Sequence, residues 1–515
     1  MKDLAAVDDL ATLLDRAAEL WPERAAWIFD ETGSRHTFAE VRARSVEVAG
    51  CLAALGVSAG DKVAVMLRNR PEFPLLWLAL ARLGAALVPV NVNYRELDGA
   101  HVLAHSGARF VVAEPEFVDM LRAIAPRTSV ERVLTPDELT TTDTPPAFAV
   151  PVGEQPVNIQ YTSGTTGAPK GCVLPHRYWL VLARSLITDF PSVGAEDTII
   201  TAQPFHYIDP QWNVALGLAS GATLVVLDRF HPSTFWRKVR EYGVTWFYCL
   251  GLMPALLLRQ PPDAADRDHR VRAVHASAIP REEHAELEHR WNVPWFESFG
   301  MTETGGDIRV READHDELVG SGCIGSPIPE REVAILGEDG APVPRGTTGE
   351  LAIRGVGLMH GYHDDPAATE RAFRGGWFHT GDLATMDAAG RVYYLGRTKD
   401  MIRRSGENIS ADEVEGALGG HPDVALAAVI AVPDVLRGEE IKAYVVPADT
   451  NRAPVPDELA EFCAAKLAYF KVPRYWAIVD TLPMTPSERV AKGELRAASD
   501  DLRAGAYDRA EKTWR

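Results

Sequence analysis

The sequence predicts an α/β fold: a large N-terminal domain of sheets layered with helices, a β-rich subdomain, and a small α+β C-terminal domain. Three observations predict it. Strand-like and helix-like segments alternate through residues 37–92 and recur around Thr198–Cys249, which implies a parallel or mixed sheet covered on both faces. Near Gly320–Gly355 the texture changes to short strands punctuated by Gly and Pro (EVAILGEDGAPVPRGTTGELAIRG), a β-rich unit. After Arg397 a second α/β pattern begins, and 515 residues exceed one ordinary core.

The elements follow in chain order. Thr37-Phe38-Ala39-Glu40 is a capping box that opens a helix running to about Leu55, where Gly56 stops it. Lys62–Leu67 reads as a short apolar strand, Glu72–Leu83 as a helix by its period, and Ala85–Val90 as a strand. Further strands are expected at Thr198–Ala202, Ala222–Leu227 and Val244–Cys249. Beyond a boundary at Gly396–Asp400, a helix is expected at Ala411–Leu418, strands near Val424–Val432 and Ile441–Val446, and a helix at Pro456–Lys466. The division is therefore 1–398, with the β-rich subdomain at about 320–396, and 399–515.

Composition narrows the function. A formal net charge of −19 argues against nucleic acid and against an anionic membrane surface as partners. The five cysteines (Cys51, Cys172, Cys249, Cys323, Cys463) are scattered without a C-x-x-C pair, which speaks for a reducing compartment. The acidic start MKDLAAVDDLATLLDR is no signal peptide, and the apolar run Phe73–Val92 is broken by Pro74, Arg82 and Pro89. The expectation is a cytoplasmic protein.

The stretch YTSGTTGAPKG at 161–171 concentrates small residues and hydroxyls. Thr162, Ser163, Gly164, Thr165, Thr166 and Gly167 supply backbone N–H groups of the kind that cradle a polyphosphate, and Lys170 adds a positive charge. It is not the G-x-x-x-x-G-K-[ST] loop, because Lys170 follows Pro169. In ESFGMTETGG, Glu303 is a carboxylate suited to Mg²⁺ bridging phosphate oxygens. Asp382 in FHTGDL can accept both hydroxyls of a ribose, and GRTKDMIRRSGEN joins Arg397 to a basic stretch. Taken singly, each of the last three segments also reads as a solvated turn or linker.

In this order and spacing, YTSGTTGAPKG, FGMTE, GELAIRG, TGD and GRTKDMI resemble the adenylate-forming superfamily of acyl-CoA synthetases, adenylation domains and luciferases. The resemblance runs from about Leu10 to Arg496. GATLVVLDRF, RTKDMIRRSGENIS and TPSERV are most similar to carnitine/crotonobetaine-type and related ATP-dependent acyl-CoA ligases. It implies that a carboxylic acid attacks the α-phosphorus of ATP, and that a thiol, usually coenzyme A, then displaces AMP from the acyl adenylate. It also implies that Thr162 to Lys170 hold the phosphates and that Thr162 and Glu303 hold Mg²⁺. Phe299, Gly300 and Thr302 would lie by the adenine and phosphates, with Asp382 and Arg397 on the ribose. Lys399 would be the hinge of a mobile C-terminal domain, Ser405 and Gly406 would line the pantetheine channel, and His206 would gate the acyl pocket. The implied partner is a small-molecule acid, with the protein a monomer or homodimer.

Two departures matter. Where the family carries a Gly-Lys pair, LPMTPSERVAKGEL has Glu488-Arg489. Arg489 is expected to neutralise the charge developing at the α-phosphate, with Lys492 as the alternative. At HASAIP, Ser277 and Ile279 stand where glycines are usual, and they add side chains near the acyl group. Trp212, Ser298 and Tyr207 would line the acyl pocket, and a bulky indole there favours a compact or aromatic acid over a long tail. Asp209 is read either as the partner of an amino or ammonium group or as a turn cap before Pro210. Besides an acid–CoA ligase, two rivals stay open. One is an adenylating enzyme without CoA, loading a carrier protein or coupling nitrite to an arylamine. The other is a nucleotide-binding protein without catalysis.

Overall fold

The structure, a computed structural model, describes residues 7–139, 152–162, 169–397, 400–404, 407–435, 437–449, 452–485 and 489–515. Among the described residues the strands form three sheets. The first has six strands, in spatial order Arg132–Leu134, Phe110–Ala113, Lys62–Met66, Ala86–Pro89, Pro156–Thr162 and Lys170–Pro175. All its pairings are parallel except the last, a hairpin in which Thr162 stands opposite Lys170. The second sheet has a parallel centre of Thr223–Val226, Thr198–Thr201, Trp246–Leu250, Ala273–Ser277 and Trp295–Met301. It then runs on through antiparallel strands, Gly305–Arg309, Cys323–Pro327 and Val392–Arg397, into Trp377–Met386, Gly349–Gly355 and Arg331–Leu336.

Local chemistry accounts for the elements that frame the site. The Thr37 capping box forms: the Glu40 amide donates to Thr37 Oγ1 at 3.2 Å, and the Thr37 amide donates to Glu40 Oε2 at 2.8 Å. The helix Glu72–Leu83 is buried on every side from Phe73 onward, as its unbroken apolar run requires, and Gly84 ends it at φ +69°. The parallel strands are apolar on both faces because helices cover both. On one face of the second sheet, Phe247, Cys249, Val274, Ala276 and Trp295 pack into a core of their own. On the other, Trp246, Tyr248, His275, Phe296 and Ser298 face the helices His176–Thr188 and Ile208–Ser220. That second face frames the site.

The β-rich segment is not a detached unit. Cys323–Pro327 pairs with both Gly305–Arg309 and Val392–Arg397, so the segment extends the large sheet. A third sheet lies beyond residue 400, with Val424–Asp434 and Gly438–Pro447 paired over most of their length and the helices Ala411–Gly419 and Pro456–Lys466 against it. This is the α/β architecture expected, with a large N-terminal part and a smaller C-terminal part. Among the described residues no helix is long and apolar enough to cross a membrane.

Candidate active site

The nucleotide half is assembled from strand ends and turns. Thr162 and Lys170 close the hairpin, and Lys170 Nζ lies 4.9 Å from the centre of the Tyr362 ring. Tyr362 donates its hydroxyl to Glu303 Oε1 at 3.0 Å, and the Met359 amide donates to the Glu303 carbonyl at 2.9 Å. Tyr362 therefore ties the hairpin end to the turn that carries Glu303. Sequence reasoning missed Tyr362; its only signal was the aromatic after glycine in LMHGYHDDP. Ser163, Gly164, Thr165, Thr166 and Gly167 lie outside the described residues, as do Lys399, Ser405 and Gly406.

Gly300 admits no side chain, because a Cβ there would run into the Gly305 carbonyl. That forces the close return of the chain which presents Thr302 and Glu303. Phe299 packs at 6.4 Å from Tyr394, whose hydroxyl donates to Asp412 Oδ2 at 3.2 Å. Asp382 is fully buried in the strand Trp377–Met386, and its register partner is Arg397. Arg397 Nε lies 2.7 Å from Asp382 Oδ1, yet it is poorly aligned: neither carboxylate oxygen has a hydrogen-bond partner among the described residues. Burial pushes the Asp382 pKa up to about 6, against the lowering fields of Arg397 and Arg489. A buried carboxylate with two unclaimed acceptors is chemically matched to a pair of hydroxyls.

Arg489 is exposed, in a tight loop where its amide donates to Thr485 Oγ1 at 3.1 Å. Its charge lowers the pKa of Asp382, after that of Arg397. Lys492 is a correction. Its ammonium is spent on Glu415 Oε1 at 2.8 Å and Asp412 Oδ1 at 3.1 Å, ion pairs internal to the C-terminal part. Burial, with the neighbouring Asp412 adding to it, pushes Glu415 up to about 7 against the lowering effect of Lys492.

The acid half is built from faces of regular elements. Asp209 and Trp212 share one face of the helix Ile208–Ser220, and Trp212 Nε1 donates to Asp209 Oδ1 at 2.8 Å. Asp209 is thus neither a turn cap (Tyr207 is the N-cap) nor an unengaged receptor for an ammonium group. Burial pushes its pKa up to about 7. The Trp212 indole meets Tyr248 edge-on at 5.5 Å and Trp246 at 5.9 Å. Tyr248 and Ser277 hydroxyls are 2.6 Å apart, and Ser277 Oγ donates to the Ser298 carbonyl at 2.7 Å, so the tyrosine is the donor to the serine. His206 is buried, packs tilted against Tyr207 at 4.4 Å, and has no partner on either ring nitrogen among the described residues. Burial pushes its pKa down to about 3, so the ring is neutral.

Ile279 is a second correction: it packs into the core on the opposite face of the sheet. Its loop is held by Glu297, which accepts the amides of Ala278 at 2.7 Å and Ile279 at 2.9 Å. Ala278 takes φ +71°, a left-handed position where a glycine is the ordinary choice. Away from the pocket, His284, Glu288 and His315 converge as metal ligands could, but their atoms are engaged. His284 Nε2 meets the Trp295 carbonyl at 2.8 Å, while Glu288 Oε1 accepts from the Trp295 amide and from His315, each at 2.7 Å.

Comparison with known proteins gives the family. The family model described as AMP-binding enzyme matches residues 14–363, and that of the AMP-binding enzyme C-terminal domain matches 413–489. A crotonobetaine/carnitine–CoA ligase of Escherichia coli O8 (strain IAI1) is 31% identical over 522 residues, covering 96% of this chain and 100% of that protein. A sulfoacetate–CoA ligase of Cupriavidus necator (strain H16) is 32% identical over 499 residues, covering 95% and 97%. Among solved structures, the o-succinylbenzoate CoA synthetase MenE of Bacillus subtilis, in complex with its acyl-adenylate intermediate, superposes with a TM-score of 0.86 at 28% identity, covering 95% and 99%. ATP-bound MatB from Rhodopseudomonas palustris gives 0.87 at 27%, covering 96% and 99%. The chain belongs to the AMP-binding enzyme family. Within it, the protein is an AMP-forming acyl-CoA ligase.

Proposed function

We propose that the protein activates a compact carboxylic acid with Mg²⁺-ATP and passes the acyl group to coenzyme A. The observation that carries the residue assignment is Asp382, a buried carboxylate with two unclaimed oxygens beside Arg397 and within the field of Arg489. In the first step an acid oxygen bonds to the α-phosphorus and the bond to pyrophosphate breaks. In the second the thiol sulfur bonds to the acyl carbon and AMP leaves. Asp382 accepts the ribose hydroxyls, with Arg397 reaching the ribose or the phosphate. Arg489 neutralises charge at the α-phosphate, in place of the lysine usual in the family. Thr162 and Glu303 fit Mg²⁺, which would supply charge neutralisation on the phosphate oxygens; Tyr362 orients the Glu303 carboxylate through its hydroxyl. Lys170, with residues 163–167 between it and Thr162, takes the phosphates. Phe299 and Gly300 shape the adenine side.

Trp212, Tyr248, Ser277 and Ser298 wall the acid pocket, and neutral His206 with Tyr207 stands at its mouth. Trp212, against Trp246 and Tyr248, makes a bulky aromatic wall, which favours a short or flat acid. Lys399 keeps its assignment as the hinge, and Ser405 and Gly406 theirs as the thiol channel. The pairing of Asp209 with Trp212 withdraws the main support for an arylamine substrate. The test is a pyrophosphate-release screen over short aliphatic and aryl acids, with and without CoA, followed by mass spectrometry. The expected products are pyrophosphate, AMP and an acyl-CoA. Pyrophosphate release with no acyl-CoA from any acid would remove CoA from the reading.

A further inference from the structure

The sheet face that carries Tyr248, Ser277 and Ser298 continues one strand further, to Arg309. Ser298 and Arg309 are register partners of an antiparallel pair, so their side chains leave the sheet on the same face. Arg309 is 8% exposed. Among the described residues, one of the five N–H donors of the Arg309 guanidinium is placed: Nη2 donates to the Ser185 carbonyl at 3.0 Å. Among the described residues no carboxylate lies within ion-pair distance of it. It lines a cavity of about 360 Å³ together with Phe190, Arg311 and Ser326. Asp189 and Glu312 border the same cavity without pairing with Arg309, and the fields of Asp189 and Glu330 only partly offset the burial that holds its pKa below the ordinary range.

A guanidinium does not give up its proton to escape such a position, and a buried cation without a counter-ion is costly. The position is also well placed along the pocket. The Phe190 ring packs on Phe296 at 4.7 Å and on His275 at 6.0 Å, so the cavity borders the sheet face that frames the site. Arg309 lies four residues along its strand from Gly305, next to the Glu303 turn, or about 13 Å at the rise of an antiparallel strand. Its register partner Ser298, a wall of the acid pocket, is the nearest link between Arg309 and the substrate.

We propose that Arg309 is a specificity-determining residue that receives a second anionic group, a carboxylate or sulfonate, at the far end of the acid substrate. The planar fork suits a bidentate pair with such a group, and the partner missing from the protein is then supplied by the substrate. This proposal rests on the acid–CoA ligase reading.

The test measures kcat/KM by pyrophosphate release for glutarate against pentanoate and for 3-sulfopropanoate against butyrate. Wild type, Arg309→Met and Arg309→Lys are compared. The wild type is expected to prefer the doubly anionic member of each pair. That preference ratio should fall about 100-fold in Arg309→Met, the scale of a lost charge-assisted contact, and about 10-fold in Arg309→Lys, which keeps charge but loses the fork. An unchanged ratio in both variants would overturn the proposal and leave Arg309 as a tie to Ser185. If the methionine variant fails to fold, the lysine ratio alone decides. Calorimetric titration of glutarate into the ATP-loaded chain separates the two readings. Binding that Arg309→Lys weakens supports the anion site even if no acid turns over, whereas no binding to wild type, with monoacids still activated, overturns the site and spares the ligase.

Discussion

The nucleotide half and the acid half of this site are built on opposite plans. Nucleotide-facing groups sit on turns and strand ends, and several are incompletely satisfied within the protein: both oxygens of Asp382 lack hydrogen-bond partners, and Arg489 is exposed. Acid-facing groups sit on the faces of a helix and central strands and largely satisfy one another, Asp209 with Trp212 and Tyr248 with Ser277. The difference teaches where function resides in each half. Open valences dominate the nucleotide side and await a ligand of fixed chemistry, whereas on the acid side closed contacts define a shape, with His206 and the proposed anion receptor Arg309 as the exceptions. Substitutions should therefore act on chemistry in the first half and on selection or stability in the second.

The largest effect is expected from Arg489→Ala. Removing the cation we assign to the α-phosphate should slow adenylate formation by about 10³-fold, near the upper scale of a lost transition-state contact. Thiolysis of a supplied acyl adenylate should persist, because that step places no new charge on the α-phosphorus. Single-turnover measurement of both half-reactions checks this, and equal losses in the two would break the assignment of Arg489 to the first.

Glu303→Gln should cost about 10²-fold in kcat and flatten the Mg²⁺ dependence, since Mg²⁺ is held through carboxylates. Tyr362→Phe removes only the donor that orients Glu303, and about a 10-fold loss with a raised Mg²⁺ requirement is expected. A Tyr362→Phe enzyme with wild-type Mg²⁺ response would separate the hairpin end from the metal turn.

How much of this was legible in the sequence follows the same divide. The Thr37 capping box, the buried Glu72–Leu83 helix and the Pro456–Lys466 helix were readable because caps and periodicity are local. Glu303 was readable because a turn is specified by a few adjacent residues, and Asp382 because it follows the glycine of a short motif, although it lies within the strand Trp377–Met386. Tyr362, Glu297 and Arg309 were not, because their meaning lies in pairings 59, 18 and 124 residues away along the chain, to Glu303, Ile279 and Ser185. Lys492 was misread for the same reason: its partners Asp412 and Glu415 come from a distant helix. The continuity of the β-rich segment with the large sheet was likewise hidden, since strand texture says nothing about which edge a strand joins.

A smaller effect with a pH signature belongs to Asp382. Its pKa is raised by burial from 3.8 to about 6, so the native state holds a proton that the unfolded chain has already lost. Between these values the folded state binds more protons, and stability should fall as pH rises from about 4 to 6. Asp382→Asn should remove that decline and raise KM for ATP about 10-fold, because an amide is the weaker acceptor for ribose hydroxyls. Thermal unfolding of both proteins from pH 4 to 7, with KM for ATP at pH 7, checks both. Parallel unfolding profiles would show that Asp382 titrates as an ordinary carboxylate.

The smallest effect on catalysis is expected from Asp209→Asn, and it is the sharpest trial of the comparison. Asparagine keeps a side-chain oxygen to accept from Trp212 Nε1 and discards only the charge. If the acid half is a closed shape, kcat/KM should change less than about threefold for acids with and without an amino group alike, since a neutral acceptor preserves the contact. Stability should shift with pH in a defined direction. The wild-type carboxyl, raised to about 7 by burial, stabilises the fold in its protonated form, and this contribution is lost as pH rises from about 4 to 7. The variant should lack that loss, so its melting temperature relative to wild type should climb across the same interval. A selective loss of about 10²-fold on amino-bearing acids would instead make Asp209 a charge receptor, as a broken buried ion pair demands. The acid half would then hold a second charged receptor besides Arg309, and the division between the two halves would fail at the residue chosen to define it.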